Sequence, residues 1–221
     1  RLAGSFGGGL YINDLTITVA DDQLETPLLI SRNSHGNIGG VSISGGRPEM
    51  RAALVIQRGA QAYVHDVNVD VPGTALYARN GADVALFGFS TLKGAVGLFA
   101  DSGSNVHMFD NISLASTGES RTALVAESST VTMRGVDLTL QNGAAYFYQS
   151  TAQFDFGTIT LIDDQLSSEN SSSIDYGFHA QQSQVSFGIE GLFIEEALLA
   201  SDAEIIQAEA DASIRWFNRS T

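Results

Sequence analysis

Apolar and polar residues alternate along most of this chain, and the alternation itself recurs. In residues 74–92 the apolar pair Leu76 and Ala78 precedes a polar turn, Arg79-Asn80-Gly81, then a second apolar pair, Val84 and Leu86, and a third short stretch ending near Leu92. Period-2 alternation over a few residues marks a strand with one face buried. Each unit of ~22 residues thus predicts three short strands, and one such unit cannot bury its own apolar face.

The same grammar runs through the chain. Residues 1–9 are small and glycine-rich and read as an irregular start, after which Leu10, Ile12, Leu15, Ile17 and Val19 begin the alternation. Leu28, Ile30, Ile38, Val41 and Ile43 form a second unit. Aligned on the first apolar residue of the Ala-Leu-x-Ala strand, the next anchors fall at Leu54, Leu76, Leu98, Leu124, Tyr146, Phe178 and Leu198, in steps of 22, 22, 26, 22, 32 and 20 residues. A polar turn follows each strand, and further apolar pairs follow the turn: Ala62 with Val64, Val84 with Leu86, Val106 with Met108, Val131 with Met133, Phe154 with Phe156, and Val185 with Phe187.

An antiparallel sandwich also spaces its strands regularly, but its hairpins favour Asn-Gly or Asp-Gly turns between most strand pairs. Here glycine recurs at one place in the unit. A coil that completes one circuit per repeat stacks like residues ~4.8 Å apart in parallel strands. The expectation is an all-β chain, a right-handed parallel β-helix, forming one domain over residues 1–221: rungs over 10–197, and a last rung with a C-terminal cap, including Trp216 and Phe217, over 198–221. The extra residues at 115–121 and 163–174 gather on one edge, the edge of a solenoid that often meets a partner.

Composition narrows the chemistry. The 43% apolar and 16% charged residues suit a packed protein. Asp plus Glu number 25 against 11 Lys plus Arg, a formal charge of −14, which repels phosphate backbones and anionic headgroups and argues against nucleic acid as a partner. The absence of cysteine removes disulfides and thiolate chemistry. No apolar run is long enough for a helical membrane span, and the lack of an initiating methionine or signal region makes the chain read as a segment of something longer.

Individual motifs dissolve into the repeat. Asp101-Ser102-Gly103-Ser104 resembles a serine-protease nucleophile motif, but Ser102 occupies the turn slot of Arg58, Asn80 and Ser128. His35, His65, His107 and His179 share no column, so neither a metal site nor a cofactor is expected. His65 beside Asp66 is the best lone acid/base pair, and no catalytic residue is assigned. Asn111, Asn170 and Asn218 each open an Asn-X-Ser triplet. The edge inserts supply the expected binding residues: Asp163, Asp164, Glu169 and Asp175 around a serine-rich loop, with Glu119 and Arg121 on the neighbouring insert.

The phrases GTALYARNGADVALFGFSTLKG and RTALVAESSTVTMRGVDLTLQNG resemble the rungs of pertactin-like autotransporter passenger domains over about residues 52–194. That resemblance implies a secreted or surface-displayed bacterial β-helix, non-catalytic, acting in adhesion or self-association. Its partner would be a host or surface glycan or protein, or a second copy, and a membrane would be reached only through an anchor domain not in this chain. Arg58-Gly59 is followed by Ala60, so no Arg-Gly-Asp is present, and no binding residue of that family maps onto a position here. The alternative is a polysaccharide-binding or polysaccharide-cleaving β-helix resembling pectin lyases or phage tail spikes, with Arg58 and Arg79 the bases to test.

Overall fold

The computed structural model describes residues 3–20, 26–47, 49–119, 121–155, 157–162, 176–187, 192–197, 204–209 and 213–216. Over these residues the chain is an all-β parallel solenoid. The first strands of successive coils stack into a nine-stranded sheet: Ala3–Phe6, Leu28–Ser31, Ala52–Gln57, Thr74–Arg79, Val96–Asp101, Thr122–Glu127, Ala144–Tyr148, Tyr176–Gln181 and Glu204–Glu209. Second and third strands form the other walls, joined in one fifteen-stranded sheet because Asn105–Ser116 and Thr130–Gln141 each run through both positions. Among the described residues every strand pairing is parallel.

Stacking like on like builds the core. Leu28, Leu54, Leu76, Leu98 and Leu124 lie directly over one another and are fully buried. Val84, Val106 and Val131 form a second column, and Leu92, Leu114, Leu140 and Leu161 a third. Burial of this apolar surface is the main force holding one coil on the next.

Two corners are fixed by backbone conformation. At the first, Arg58, Asn80, Ser102, Ser128, Gln149 and Gln182 all take the left-handed conformation, with φ between 50° and 59°. Ser102 is thus the turn residue its register predicted. Its N–H donates to Glu127 O at 3.2 Å and its carbonyl accepts from Gly81 N at 3.0 Å. At the second corner the left-handed position alternates in residue type up the stack: Asp14, Gly40, Asp66, Gly88, Asp110 and Gly135. The Asp66 carboxylate lies against Gly88 and accepts the N–H of Phe89 at 3.0 Å, so a Cβ on Gly88 would collide with it. Alternation of glycine with aspartate gives each carboxylate room over a residue without a side chain.

Next to the first corner, buried serines satisfy backbone groups between coils. Ser150 Oγ accepts the Ser129 N–H at 3.1 Å, and Ser183 Oγ accepts the Ser150 N–H at 3.0 Å. The third corner takes the largest variation in length. There the connection is Ala95 alone between Gly94 and Val96, and far longer between Ile162 and Tyr176.

The structure corrects the sequence register in four places. Ala3–Phe6 is a strand paired with Leu28–Ser31, rather than part of an irregular start. Leu124 stacks on Ala145, not Tyr146, because the register shifts between Thr122 and Leu124. A one-residue shift turns every side chain to the opposite face. Ala145 and Phe147 therefore point inward, fully buried, and Tyr146 and Tyr148 outward. In the same coil Ala152 and Phe154 are the inward pair, stacked on Val131 and Met133; the sequence pairs Phe154 with Phe156, which lies outside the described residues. Finally, Phe178 is in backbone register with Ile206, and Leu198, the anchor expected from the sequence, lies outside the described residues. Ser213–Trp216 continues the second wall, with Trp216 in register with Phe187.

Candidate functional site

The second strand of each coil points alternate residues outward, and those positions form rows across the wall. One row reads Tyr11, Asn37, Tyr63, Ala85, His107, Thr132, Gln153 and Ser186. Polar residues are expected on a solvated strand face, yet Tyr11 and Tyr63 are 77% and 60% exposed. Phe89 and Phe109, at the second corner, add further exposed rings, and Phe109 sits where the strand register shifts between Met108 and Asp110.

Between two of these rings, Tyr63 and Phe109, lies a groove of about 330 Å³, lined also by Gln61, Ala62, Asp83, Ala85 and His107. Its floor follows from the register: Ala85 lies between Tyr63 and His107 on adjacent strands, so a methyl group stands where larger side chains flank it. The imidazole of His107 is held from two sides, with Nδ1 2.6 Å from Thr132 Oγ1 and Nε2 3.6 Å from Asp83 Oδ1. A smaller groove of about 240 Å³ lies beyond the corner, where Phe89 meets Asn111, Asp137 and the hydroxyls of Thr91, Ser113 and Thr139.

Neighbouring aromatics behave differently. Phe87 stacks on His65 with ring centroids 5.0 Å apart, and His65 lies between Asp66 Oδ2 at 3.1 Å and Asn37 Oδ1 at 3.2 Å. The His65 hydrogen bond, followed by the Phe89 N–H, holds the Asp66 carboxyl below its ordinary value. His65 and Asp66 thus belong to the corner and brace the groove's neighbour. On the first sheet's outer face Tyr77 stacks on Phe99 at 5.0 Å, lies between Arg51 and Arg79, and donates its hydroxyl to Asp101. Burial, then the Asp101 hydrogen bond, raises its pKa. That cluster is closed, whereas the rings of Tyr63 and Phe109 stack on no other ring among the described residues.

Thr132, His107 and Asp83 place a hydroxyl, an imidazole and a carboxylate in series, the composition of a nucleophilic relay. The geometry suits binding better. A 3.6 Å separation is too long for the His–Asp hydrogen bond that orients such a base, and the strands carrying all three residues are paired on both sides, so their amides serve the sheet ladder rather than an oxyanion. Among the described residues no three His, Asp or Glu side chains converge on a metal position.

Of the edge residues the sequence nominated, Glu119 is exposed and Arg121 is half-buried on the same third-corner connection. The Arg121 N–H donates to Gly118 O at 3.1 Å and its carbonyl accepts from Ala144 N at 2.9 Å. Asp163, Asp164, Glu169 and Asp175 lie outside the described residues. Arg79, a lyase candidate, donates Nε–H to Gln57 Oε1 at 2.7 Å, and Arg58 occupies the left-handed turn. The sequence reading did not single out the groove, although it holds one signal of it: Tyr63 is a large aromatic at a polar position of the period-2 pattern, as are Tyr11 and Phe89 outside the groove. Compared with known protein families, with curated proteins and with solved structures, the chain gives no match.

Proposed function

We propose that this chain is a non-catalytic binding solenoid that acts in adhesion, outside the cell or at its surface, and that holds its partner against the outer face of the second wall. The observation that carries this reading is the exposure of Tyr11, Tyr63 and Phe109 on a wall whose other outward positions are mostly polar, with Phe89 exposed at its corner. Exposed rings contribute little to packing, and a contiguous exposed apolar surface marks an interaction site. The stacked coils form a rigid support for that face, and repeated weak contacts along it add by avidity. The resemblance of the rungs to autotransporter passengers, together with the cysteine-free composition, supports placement at a bacterial surface.

The test is attachment. Beads coated with the protein are expected to adhere to cells or to a glycan- or protein-coated surface, and the variant with Tyr11, Tyr63, Phe89 and Phe109 all changed to Ser is expected to lose adhesion while keeping its β-sheet circular dichroism. Adhesion undiminished in that variant would move the site elsewhere, with deletion of residues 163–174 as the next comparison.

A further inference from the structure

Resting on that reading, we propose that the groove between Tyr63 and Phe109 binds a neutral polysaccharide, seating sugar rings over Ala85 and hydrogen-bonding their hydroxyls to Asp83, His107 and Gln61. Four features of the groove lead to this ligand chemistry.

A pyranose ring has an apolar C–H face and a rim of hydroxyls. Tyr63 and Phe109 present aromatic surfaces with no ring partner among the described residues, and the Ala85 methyl leaves the depression between Tyr63 and His107 shallow. These suit the apolar face. The rim requires mixed donors and acceptors: Asp83 accepts, the Gln61 amide does both, and His107 offers Nε2 once Nδ1 is engaged by Thr132.

The second feature is length. Tyr63 and Phe109 stand two coils apart, about 9.6 Å along the stack at the usual strand spacing, and Phe109 lies two residues further along its strand than His107, the residue in register with Tyr63. That separation is longer than one sugar ring, so the two aromatics suit non-adjacent rings of a chain better than a single small molecule.

Charge is the third. No lysine or arginine lines the groove, while Asp83 does, and the whole chain carries −14. Uronate or sulfated polymers are therefore disfavoured, and neutral sugars are favoured over anionic ones. The fourth feature separates sugar from peptide. Extended peptides commonly dock by adding a strand to a free sheet edge, and the strands under this groove, Gln61–His65, Asp83–Phe87 and Asn105–Ser116, are each paired on both sides. Only side chains are on offer, which suits a ligand recognised by ring faces and hydroxyls.

The experiment is isothermal calorimetry of the whole chain with hexasaccharides of cellulose, β-mannan, starch and N-acetylated chitin, and with oligogalacturonate as the anionic control. At least one neutral hexamer is expected to bind and oligogalacturonate is not. Tyr63→Ala and Phe109→Ala are each expected to weaken binding by about tenfold or more, Tyr63→Phe to retain it, and Asp83→Asn to weaken it by about threefold, all with unchanged circular dichroism. Binding by none of the neutral hexamers overturns the proposal, as does binding that survives the Tyr63→Ala/Phe109→Ala double variant, or oligogalacturonate binding as tightly. The bead assay separates the two readings: adhesion that needs the aromatic face but is matched by no sugar binding overturns the glycan assignment and leaves the adhesive one standing, whereas a parent protein that neither adheres nor binds any neutral hexamer overturns both.

Discussion

Aromatic rings occur on both sides of the solenoid wall, and the rings in the core differ in their partners from those around the groove. Inside, Phe154 stacks on Phe187 at 4.8 Å and meets Phe147 and Phe178 edge-on at 6.1 Å and 5.4 Å. Outside, Tyr63, Phe89 and Phe109 face solvent without a ring partner among the described residues. Residue type alone therefore says little about role. What separates the two groups is the phase of the alternation: one position along the strand is the difference between filling the core and standing in water.

The interior group also shows how the core changes composition without changing volume much. Moving up the stack, Leu124 gives way to Ala145 while Ala126 gives way to Phe147, and Val131 to Ala152 while Met133 gives way to Phe154. Each loss beside a gain keeps the coil filled, the kind of compensated exchange that packed cores tolerate.

The sharpest way to break the comparison is to remove one ring from each side. Phe154→Ala is expected to lower stability by about 3–5 kcal/mol, because it opens a cavity among three other rings. A shift of the denaturant midpoint no larger than that of a surface substitution would mean the aromatic core is loosely packed. Next in size is Gly88→Ala at the second corner, expected to cost about 1–3 kcal/mol, since the new methyl takes a left-handed conformation and meets the Asp66 carboxylate. Pairing it with Asp66→Gly should relieve part of the loss, and a double-variant cycle measures how much.

Tyr63→Ala, on the outside, is expected to change stability by no more than about 0.5 kcal/mol while reducing adhesion. A large loss of stability there would place Tyr63 among the structural residues and erase the distinction between the groups. The smallest effect concerns acid. Asp66 has a folded pKa below its ordinary value of 3.8, so its contribution to stability is present above that value and is lost as pH falls through the lowered one. Asp66→Asn should flatten the acid limb of the stability profile below about pH 4 and leave neutral pH little changed. An acid limb identical to that of the parent would show that other carboxylates govern it.

Much of this architecture was legible from residue order. The columns at Leu54, Leu76, Leu98 and Leu124 follow from a 22-residue repeat with one insertion, and the turn role of Ser102 follows from its slot. The register failed at Tyr146, where Ala-Ala-Tyr-Phe-Tyr offers apolar residues on both faces of the strand and the alternation cannot choose between them. It failed again at Leu198, because Ile206 lies 28 residues beyond Phe178, a longer step than the 22-residue repeat, and the extra residues carry no register of their own. The aspartate–glycine alternation at the second corner was invisible for a different reason: neighbours there are one coil apart, and nothing local marks a carboxylate as resting on the next coil's glycine.

The sequence by itself determined that the chain coils into stacked parallel strands, because alternation and repeat length are properties of residue order and leave an apolar face that only stacking can bury. It also determined the acidic, cysteine-free surface. Only the tertiary structure decided which residues share a site. Tyr63, Ala85, His107 and Phe109 are spread over more than forty positions of chain, and they meet because parallel stacking sets residues one coil apart within a strand's width of each other.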